Sequence, residues 1–222
     1  MSEGTVRLAV GATTLELRPD RSAFWPSRQA LLVADVHLGK AGHFRRHGLA
    51  VPGSVNADTM RRLADALAAT GATTLIVLGD LFHSDRNAEW DAFIDWRAEQ
   101  VDLERVVLVA GNHDILGAED WAAAGVDVVE RWDEAGLTLT HAPEDHRPDF
   151  GVHLCGHVHP GVRLQGAGRQ SLTVACWWRH RALNQLVFPA FGGFTGKHRI
   201  TPAKGDAVYL PVTGRQVIEK AC

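Results

Sequence analysis

Residues 74–84, TLIVLGDLFHS, decide the fold. Leu75 to Leu78 form an uninterrupted apolar run, the mark of a strand buried on both faces, and the chain leaves it through Gly79 to present a carboxylate, Asp80. The same pattern recurs on either side. ALLVA (30–34) runs into Asp35, VVLVAG (106–111) into Asn112, LTLT (137–140) into His141 and GVHLCG (151–156) into His157. These runs read as buried strands that deliver chemically capable side chains at one edge of a sheet. Between the first two lies SVNADTMRRLADALAATG (54–71), in which Met60, Leu63, Ala64 and Leu67 follow helical spacing and Gly71 is a stop signal. AEWDAFIDWRAEQ (88–100) places Trp90, Phe93 and Ile94 on one face in the same way. Strand, helix, strand, helix, strand is an α/β pattern. Beyond about residue 136 helical spacing gives way to LTLTHA, GVHLCG, RQSLTVAC, NQLVFPA and DAVYLPV, separated by Gly and Pro turns, so this half is expected to be mostly β. The fold class expected is α/β, two packed mixed sheets covered outside by helices.

At 222 residues with 45% hydrophobic content, the chain is long enough for one well-packed core, and a single domain spanning 1–222 is expected. No basic start precedes an apolar run in the first thirty residues, and no later stretch approaches roughly 18 uninterrupted apolar residues, so a soluble, cytoplasmic protein without membrane association is expected. Cys155, Cys176 and Cys222 are odd in number and widely spaced, which indicates neither a disulfide framework nor a thiolate zinc site. A formal net charge of −3 gives no global attraction for a polyanion, so any such binding must come from a local basic patch.

The strand ends carry five clusters: Asp35-Val36-His37, Gly79-Asp80, Gly111-Asn112-His113-Asp114, His141, and Gly156-His157-Val158-His159. Each offers oxygen or imidazole nitrogen. A lone buried histidine is more often a hydrogen-bonded core residue than a ligand, so no cluster decides anything alone. The ordered series, each member behind an apolar run, points to metal. Carboxylate, amide and imidazole donors suit Mn, Fe, Co, Ni or Zn better than Ca, with Mn the best fit. Glycines before Asp80, Asn112 and His157 remove bulk where a backbone must approach an ion or phosphate closely.

VADVHLGK, VLGDLFHS, VAGNHD, THAP and CGHVHP resemble the successive motifs of calcineurin-like metallophosphoesterases, across roughly residues 31 to 160. The resemblance implies a four-layer sandwich with a two-sheet core and two divalent transition-metal ions. Carried over position by position, Asp35, His37 and His159 would hold one ion, Asn112, His141 and His157 the other, and Asp80 both. VADVHLGKAGHFRRHGLAVP, GDLFHS and LVFPAFGGFTG resemble, more narrowly, the ligase-associated DNA damage response endonuclease branch (PdeM). That implies a DNA endonuclease in repair, acting on single-stranded or looped DNA in functional association with a DNA ligase, a helicase and an exonuclease.

Two cations roughly 3.5–4 Å apart can bind a phosphate oxygen, lower the pKa of a bridging water and align the resulting hydroxide behind phosphorus for in-line attack. His113, beside Asn112, is placed to protonate the leaving oxygen, and Asp114 either orients His113 or is a turn residue. Lys40, His43, Arg45, Arg46 and His47 follow the first ligand pair, where they either contact a phosphate backbone or form a solvated loop. Cys176-Trp177-Trp178-Arg179-His180-Arg181 combines aromatic faces with cations, a pattern of single-strand binding surfaces, so Trp178 and Arg179 are candidate substrate contacts. Adjacent tryptophans on a strand face opposite ways, so at least one belongs to the core. Pro189 to Gly196 is expected to form a tight loop near the site, with Phe191 and Phe194 packing it, and His83 to stand behind the Asp80 ligand. The leading expectation is thus a two-metal phosphodiesterase acting on DNA. A nucleotide or phospholipid-headgroup phosphoesterase is the alternative, and a non-catalytic protein-binding scaffold would need neither the full ligand set nor His113.

Overall fold

A computed structural model describes residues 4–40, 42, 44, 54–148, 151–166, 168, 170–212 and 214–222. Two seven-stranded mixed sheets pack face to face. The first runs in chain order: β1 (Val6–Val10), β2 (Thr13–Leu17), β3 (Ala23–Trp25), β4 (Ala30–Val33), β5 (Thr74–Leu78), β6 (Arg105–Val109) and β7 (Val126–Val129). Its first four strands pair antiparallel through short turns, and β4 to β7 are parallel. Parallel neighbours need a crossover, which α1 (Val55–Thr70), α2 (Ala88–Glu99) and α3 (Ala118–Ala123) supply.

The remaining strands are β8 (Trp132–Glu134), β9 (Leu137–Leu139), β10 (Val152–Cys155), β11 (Pro160–Gln165), β12 (Ser171–Ala175), β13 (Trp177–His180), β14 (Gln185–Val187), β15 (His198–Arg199), β16 (Ala207–Val212) and β17 (Gln216–Ala221). The second sheet has the order β17-β16-β13-β14-β10-β9-β8, with β9, β10 and β14 parallel at its centre. β12, β11 and β15 form a third, small sheet.

Alternation along the central strands assigns side chains to layers. Leu32, Ile76, Leu78 and Val109 of the first sheet meet Leu139, Leu154, Trp177, Leu186 and Tyr209 of the second in the inter-sheet core. Leu31, Val33, Leu75, Val77 and Leu108 face the other way, against Leu63 and Leu67 of α1, Trp90, Phe93 and Trp96 of α2, and Trp121 of α3. Met60, Ala64 and Ile94 pack at the edge of that layer, and Gly71, in a left-handed conformation, ends α1 as its position in the sequence suggests.

Among the described residues helices cover only the first sheet. Over the second, the fourth layer is the small sheet, where Val162 and Ile200 pack on Val208, Leu210 and Trp178. Among the described residues no helix is long and apolar enough to cross a membrane.

Candidate metal centre

β4, β5 and β6 of one sheet and β9 and β10 of the other all end at the same edge of the sandwich, and each is followed by one of the five clusters. Asp35, His37, Asp80, His157 and His159 all have positive φ, between 50° and 66°. Asp and His tolerate the left-handed region better than most residues, yet each such position still costs on the order of 1–3 kcal/mol, so clustered strain marks a functional turn. Neighbouring turns brace one another through backbone hydrogen bonds. Asp35 N–H donates to Gly79 O at 3.1 Å, His37 N–H to Asp80 O at 2.8 Å and Leu38 N–H to Leu81 O at 2.9 Å.

Three glycines fit the turns together by making room for a side chain from another cluster. A Cβ on Gly79 would lie 2.0 Å from Nδ1 of His141, one on Gly111 2.3 Å from Oδ1 of Asp80, and one on Gly156 2.7 Å from Oδ2 of Asp35. The bulk they exclude is therefore that of the ligands themselves, where the sequence suggested an ion or phosphate.

Asp35, His37, Asp80 and His141 are all at least nine-tenths buried. Nε2 of His37 lies 3.3 Å from Nε2 of His159, which is itself 3.3 Å from Oδ1 of Asp35. Nδ1 of His157 lies 3.0 Å from Nε2 of His141, which is 3.1 Å from Oδ1 of Asn112. Between these two groups stands Asp80, with Oδ2 3.7 Å from His37 and Oδ1 3.5 Å from His141. His141 Nδ1–H donates to Leu78 O at 3.0 Å, which leaves Nε2 as the bare nitrogen on the side of the other donors. Asp35 is fixed by the His157 N–H at 2.9 Å. Asp35, His37 and His159, and likewise Asp35, Asp80 and His141, offer ligand atoms that all lie within 4.8 Å of one another. Asp35 thus shares with Asp80 a position within reach of both groups.

Burial, reinforced by Lys40 and the neighbouring histidines, pushes His37 down to about 2 and keeps its imidazole neutral, the form that ligates metal. Imidazole nitrogens facing each other beside carboxylates are the donor set that divalent transition ions complete, so the residues fit such ions.

The remaining predicted residues are placed unevenly. His113 N–H donates to Oδ1 of Asp80 at 3.0 Å, its ring lies 3.7 Å between centroids from His83, and burial lowers its pKa. Nδ1 of His83 is 3.3 Å from Nδ1 of His37, behind the ligands as its closeness to Asp80 suggested. Lys40 is half-buried. Its pKa is lowered by burial, which outweighs the attraction of Asp80 and Asp35. His43, Arg45, Arg46 and His47 lie outside the described residues.

Three readings change. Asp114 does not orient the His113 ring; its carboxylate accepts the backbone N–H groups of Asp80 at 2.8 Å, Phe82 at 3.1 Å and Gly111 at 2.9 Å, tying two ligand turns together. Burial pushes it up to about 6 against the pull of those bonds. Trp178 and Arg179 do not face the metal centre. Trp178 packs under the small sheet and donates Nε1–H to Oδ2 of Asp206 at 2.9 Å, while Arg179 donates to Asn184 and has Nη1 buried. Trp177 is the core tryptophan, fully buried. Phe191 is likewise buried, but Phe194, expected to pack, is 41% exposed.

Sequence reasoning missed Thr140 and His153, which support His141. Thr140 Oγ–H donates to Ala142 O at 2.7 Å, so the fully buried His153 donates Nε2–H to Thr140 at 2.6 Å. The histidine at the centre of the apolar run GVHLCG was the available signal.

Among curated proteins no sequence matches the chain. Pseudomonas putida nuclease MPE, known from a crystal structure, is 34% identical, covers 97% of this chain and 100% of its own, and superposes with a TM-score of 0.79. Yfce, a phosphoesterase from E. coli, is 16% identical over 86% of this chain and 98% of its own, with a TM-score of 0.46. The model of the calcineurin-like phosphoesterase family matches residues 29–145, the stretch that carries β4 to β6 and the first four ligand clusters. On that match and its agreement with the nuclease fold, the chain belongs to the calcineurin-like phosphoesterase family and is a metal-dependent phosphoester hydrolase.

Proposed function

We propose that the chain, as one domain, is a two-metal phosphodiesterase that cuts DNA internally. The observation that carries this is the Asp80 carboxylate, whose two oxygens face different imidazole groups. Asp35, His37 and His159 would hold one ion, Asn112, His141 and His157 the other, and Asp80 would reach both. Ions bound there supply Lewis acidity and lower the pKa of water. Mn suits the mixed oxygen and nitrogen donors best, with Fe, Co, Ni and Zn as rivals.

The chain's own residues do the rest. Lys40, half-buried directly after the first ligand turn, holds a non-bridging phosphate oxygen. His113, anchored through its N–H to Asp80, gives a ring proton to the departing sugar oxygen. Asp114 keeps the Asp80 and Asn112 turns at a fixed separation, so that proton donor and ligands move as one unit.

A nucleic-acid substrate is supported by the relationship to a nuclease at 34% identity over almost the whole chain, and DNA in particular by the motif resemblance. The repair role, the cytoplasmic location and the association with a DNA ligase, a helicase and an exonuclease rest on the motif resemblance; genes for those enzymes beside this one would support them. The deciding experiment assays Mn-loaded protein on single-stranded circular DNA, a bis-aryl phosphodiester and mononucleotides in parallel. Only internal cleavage opens a circle, so linear product is the expected result. Hydrolysis confined to small esters would overturn the DNA reading in favour of a nucleotide or headgroup phosphoesterase, and bound metal without turnover would favour a scaffold.

A further inference from the structure

Phe194 stands clear of the three hydrophobic clusters, 41% exposed, and its ring meets that of Phe44 edge to face, 5.6 Å between centroids at 78°. A single exposed aromatic is ordinary. This one is aimed by its surroundings.

The loop that carries Phe194 leaves β14 and lies backbone to backbone against the first ligand turn. Ala190 bridges Ala34, Phe191 N–H donates to Ala34 O at 2.8 Å, and Gly192 N–H donates to Asp35 O at 3.1 Å. A Cβ on Gly192 would lie 2.4 Å from Val36 O, so no larger residue permits that approach. Phe191 is pinned below by Arg62, whose Nη2 donates to Phe191 O at 3.1 Å and whose guanidinium carbon sits 4.5 Å from the ring centroid. Phe194 therefore projects from a fixed base two residues beyond the contact with Asp35.

Phe44 approaches from the other side. Lys40, Gly42 and Phe44 are helical, and Gly42 N–H is tied to Oε2 of Glu89 at 3.3 Å. Residues four apart share a helix face, roughly 5–6 Å from each other. The helical turn begins directly after the first ligand turn, with Lys40 N–H donating to His37 O at 3.4 Å, so Lys40 sits beside the candidate centre and Phe44 extends the same face by one turn.

We propose that Phe194, backed by Phe44, is a stacking platform for an unpaired nucleobase next to the phosphate held at the metal centre. The inference rests on the DNA reading above. A base in a duplex has both faces covered by its neighbours, so only an unpaired or splayed base can lie on this ring. Stacking of this kind tolerates every base, because each has a π-face. The platform thus selects single-stranded or looped DNA without reading its sequence, the role that Trp178 cannot fill.

The test compares wild-type protein, Phe194→Ala and Phe194→Trp, each loaded with Mn, on a single-stranded oligonucleotide and on one of equal length with abasic spacers throughout. Both carry the same backbone charge, and only one has bases. The expected result is a roughly 10- to 100-fold lower kcat/KM for Phe194→Ala on the base-bearing strand, from the loss of one stacked base, and less than about threefold on the abasic strand, with Phe194→Trp near wild type. Equal losses on both strands, or no loss on either, overturn the platform while leaving the DNA reading in place. Wild-type protein that hydrolyses a bis-aryl phosphodiester but neither oligonucleotide overturns both. Metal content and Tm of each variant, expected to match wild type for a ring outside the core, separate a lost platform from a damaged centre.

Discussion

Replacing Gly79 by alanine tests whether the metal centre depends on one cluster making room for another. Two costs arise, and the structure separates them. Gly79 has φ of 77°, where a Cβ costs about 1 kcal/mol, and that Cβ would lie 2.0 Å from Nδ1 and 2.4 Å from Cγ of His141. Non-bonded carbon contacts settle at about 3.5–4 Å, so the imidazole must retreat by more than about 1 Å. Retreat also breaks the bond from His141 Nδ1–H to Leu78 O, which fixes the ring's tautomer. A misplacement of about 1 Å in a catalytic group costs on the order of 10²-fold in rate. Gly71→Ala is the control, because Gly71 has φ of 64° with no atom within 4 Å of the added Cβ and so carries the backbone cost alone. In a chain of this size 1 kcal/mol lowers Tm by about 2–4 °C. Gly71→Ala should therefore show that shift with two bound ions and wild-type turnover on a bis-aryl phosphodiester. Gly79→Ala should bind about one ion by elemental analysis and turn over about 10²-fold more slowly. Full metal content and turnover within twofold of wild type in Gly79→Ala would refute the reasoning.

Asp80→Ala should lose both ions, since both imidazole groups face its carboxylate; retention of one, measured by elemental analysis, would give the shared role to Asp35. His113→Ala should keep its metal and lose roughly 10²–10⁴-fold in turnover on poor leaving groups, with a smaller loss on a nitrophenyl ester that leaves without a proton. Asp206 is raised by burial, but hydrogen bonds from Trp178, Arg181 and Ala203 outweigh this and hold its carboxyl below the usual range. A depressed folded pKa gives stability that is complete above the ordinary aspartate value near 3.9 and fades as pH falls through the folded value. Asp206→Asn should therefore lower Tm at pH 7 and approach wild type as pH falls through the folded value, and a Tm difference independent of pH would count against it.

Legibility in the sequence followed burial. β4, β5 and β6 lie between helices and the second sheet, so their apolar runs are continuous, and α1 and α2 have one wet face, so their spacing shows. The candidate ligands stood out because each follows such a run. β1 and β2 alternate in burial, Leu15 and Leu17 inward with Thr14 and Glu16 outward, but each is five residues long and only partly covered, too short a pattern to stand out in the first thirty residues. Trp177-Trp178-Arg179 misled because aromatic and cationic residues look alike whether they face DNA or, as for Trp178, meet a buried carboxylate whose place in the sequence, Asp206, is nearly thirty positions on. The same holds for Asp114, whose partners Asp80 and Phe82 belong to another cluster, and for Phe194, whose exposure depends on what fails to cover it.

The backbone of the metal centre is built to hold its shape without the ions. Five candidate ligands in left-handed conformation would relax if their turns were free, yet the Asp35 and Asp80 turns are zipped by three N–H to carbonyl bonds, and a fourth runs from His83 N–H to Leu38 O at 2.7 Å. Asp114 clamps the Asp80 turn to the Asn112 turn, and Gly192 N–H ties the Asp35 turn to the second sheet's loop. Each brace joins segments anchored in the inter-sheet core or under the helices, so the strain is carried by the sandwich. In small metal-folded domains, by contrast, binding free energy is folding free energy. Protein stripped by chelator should therefore lose activity while keeping its far-ultraviolet circular dichroism and a single cooperative thermal transition, with a Tm lowered only by the lost binding. A stripped protein that melts without cooperativity would mean that the ions, and not these hydrogen bonds, hold the turns together.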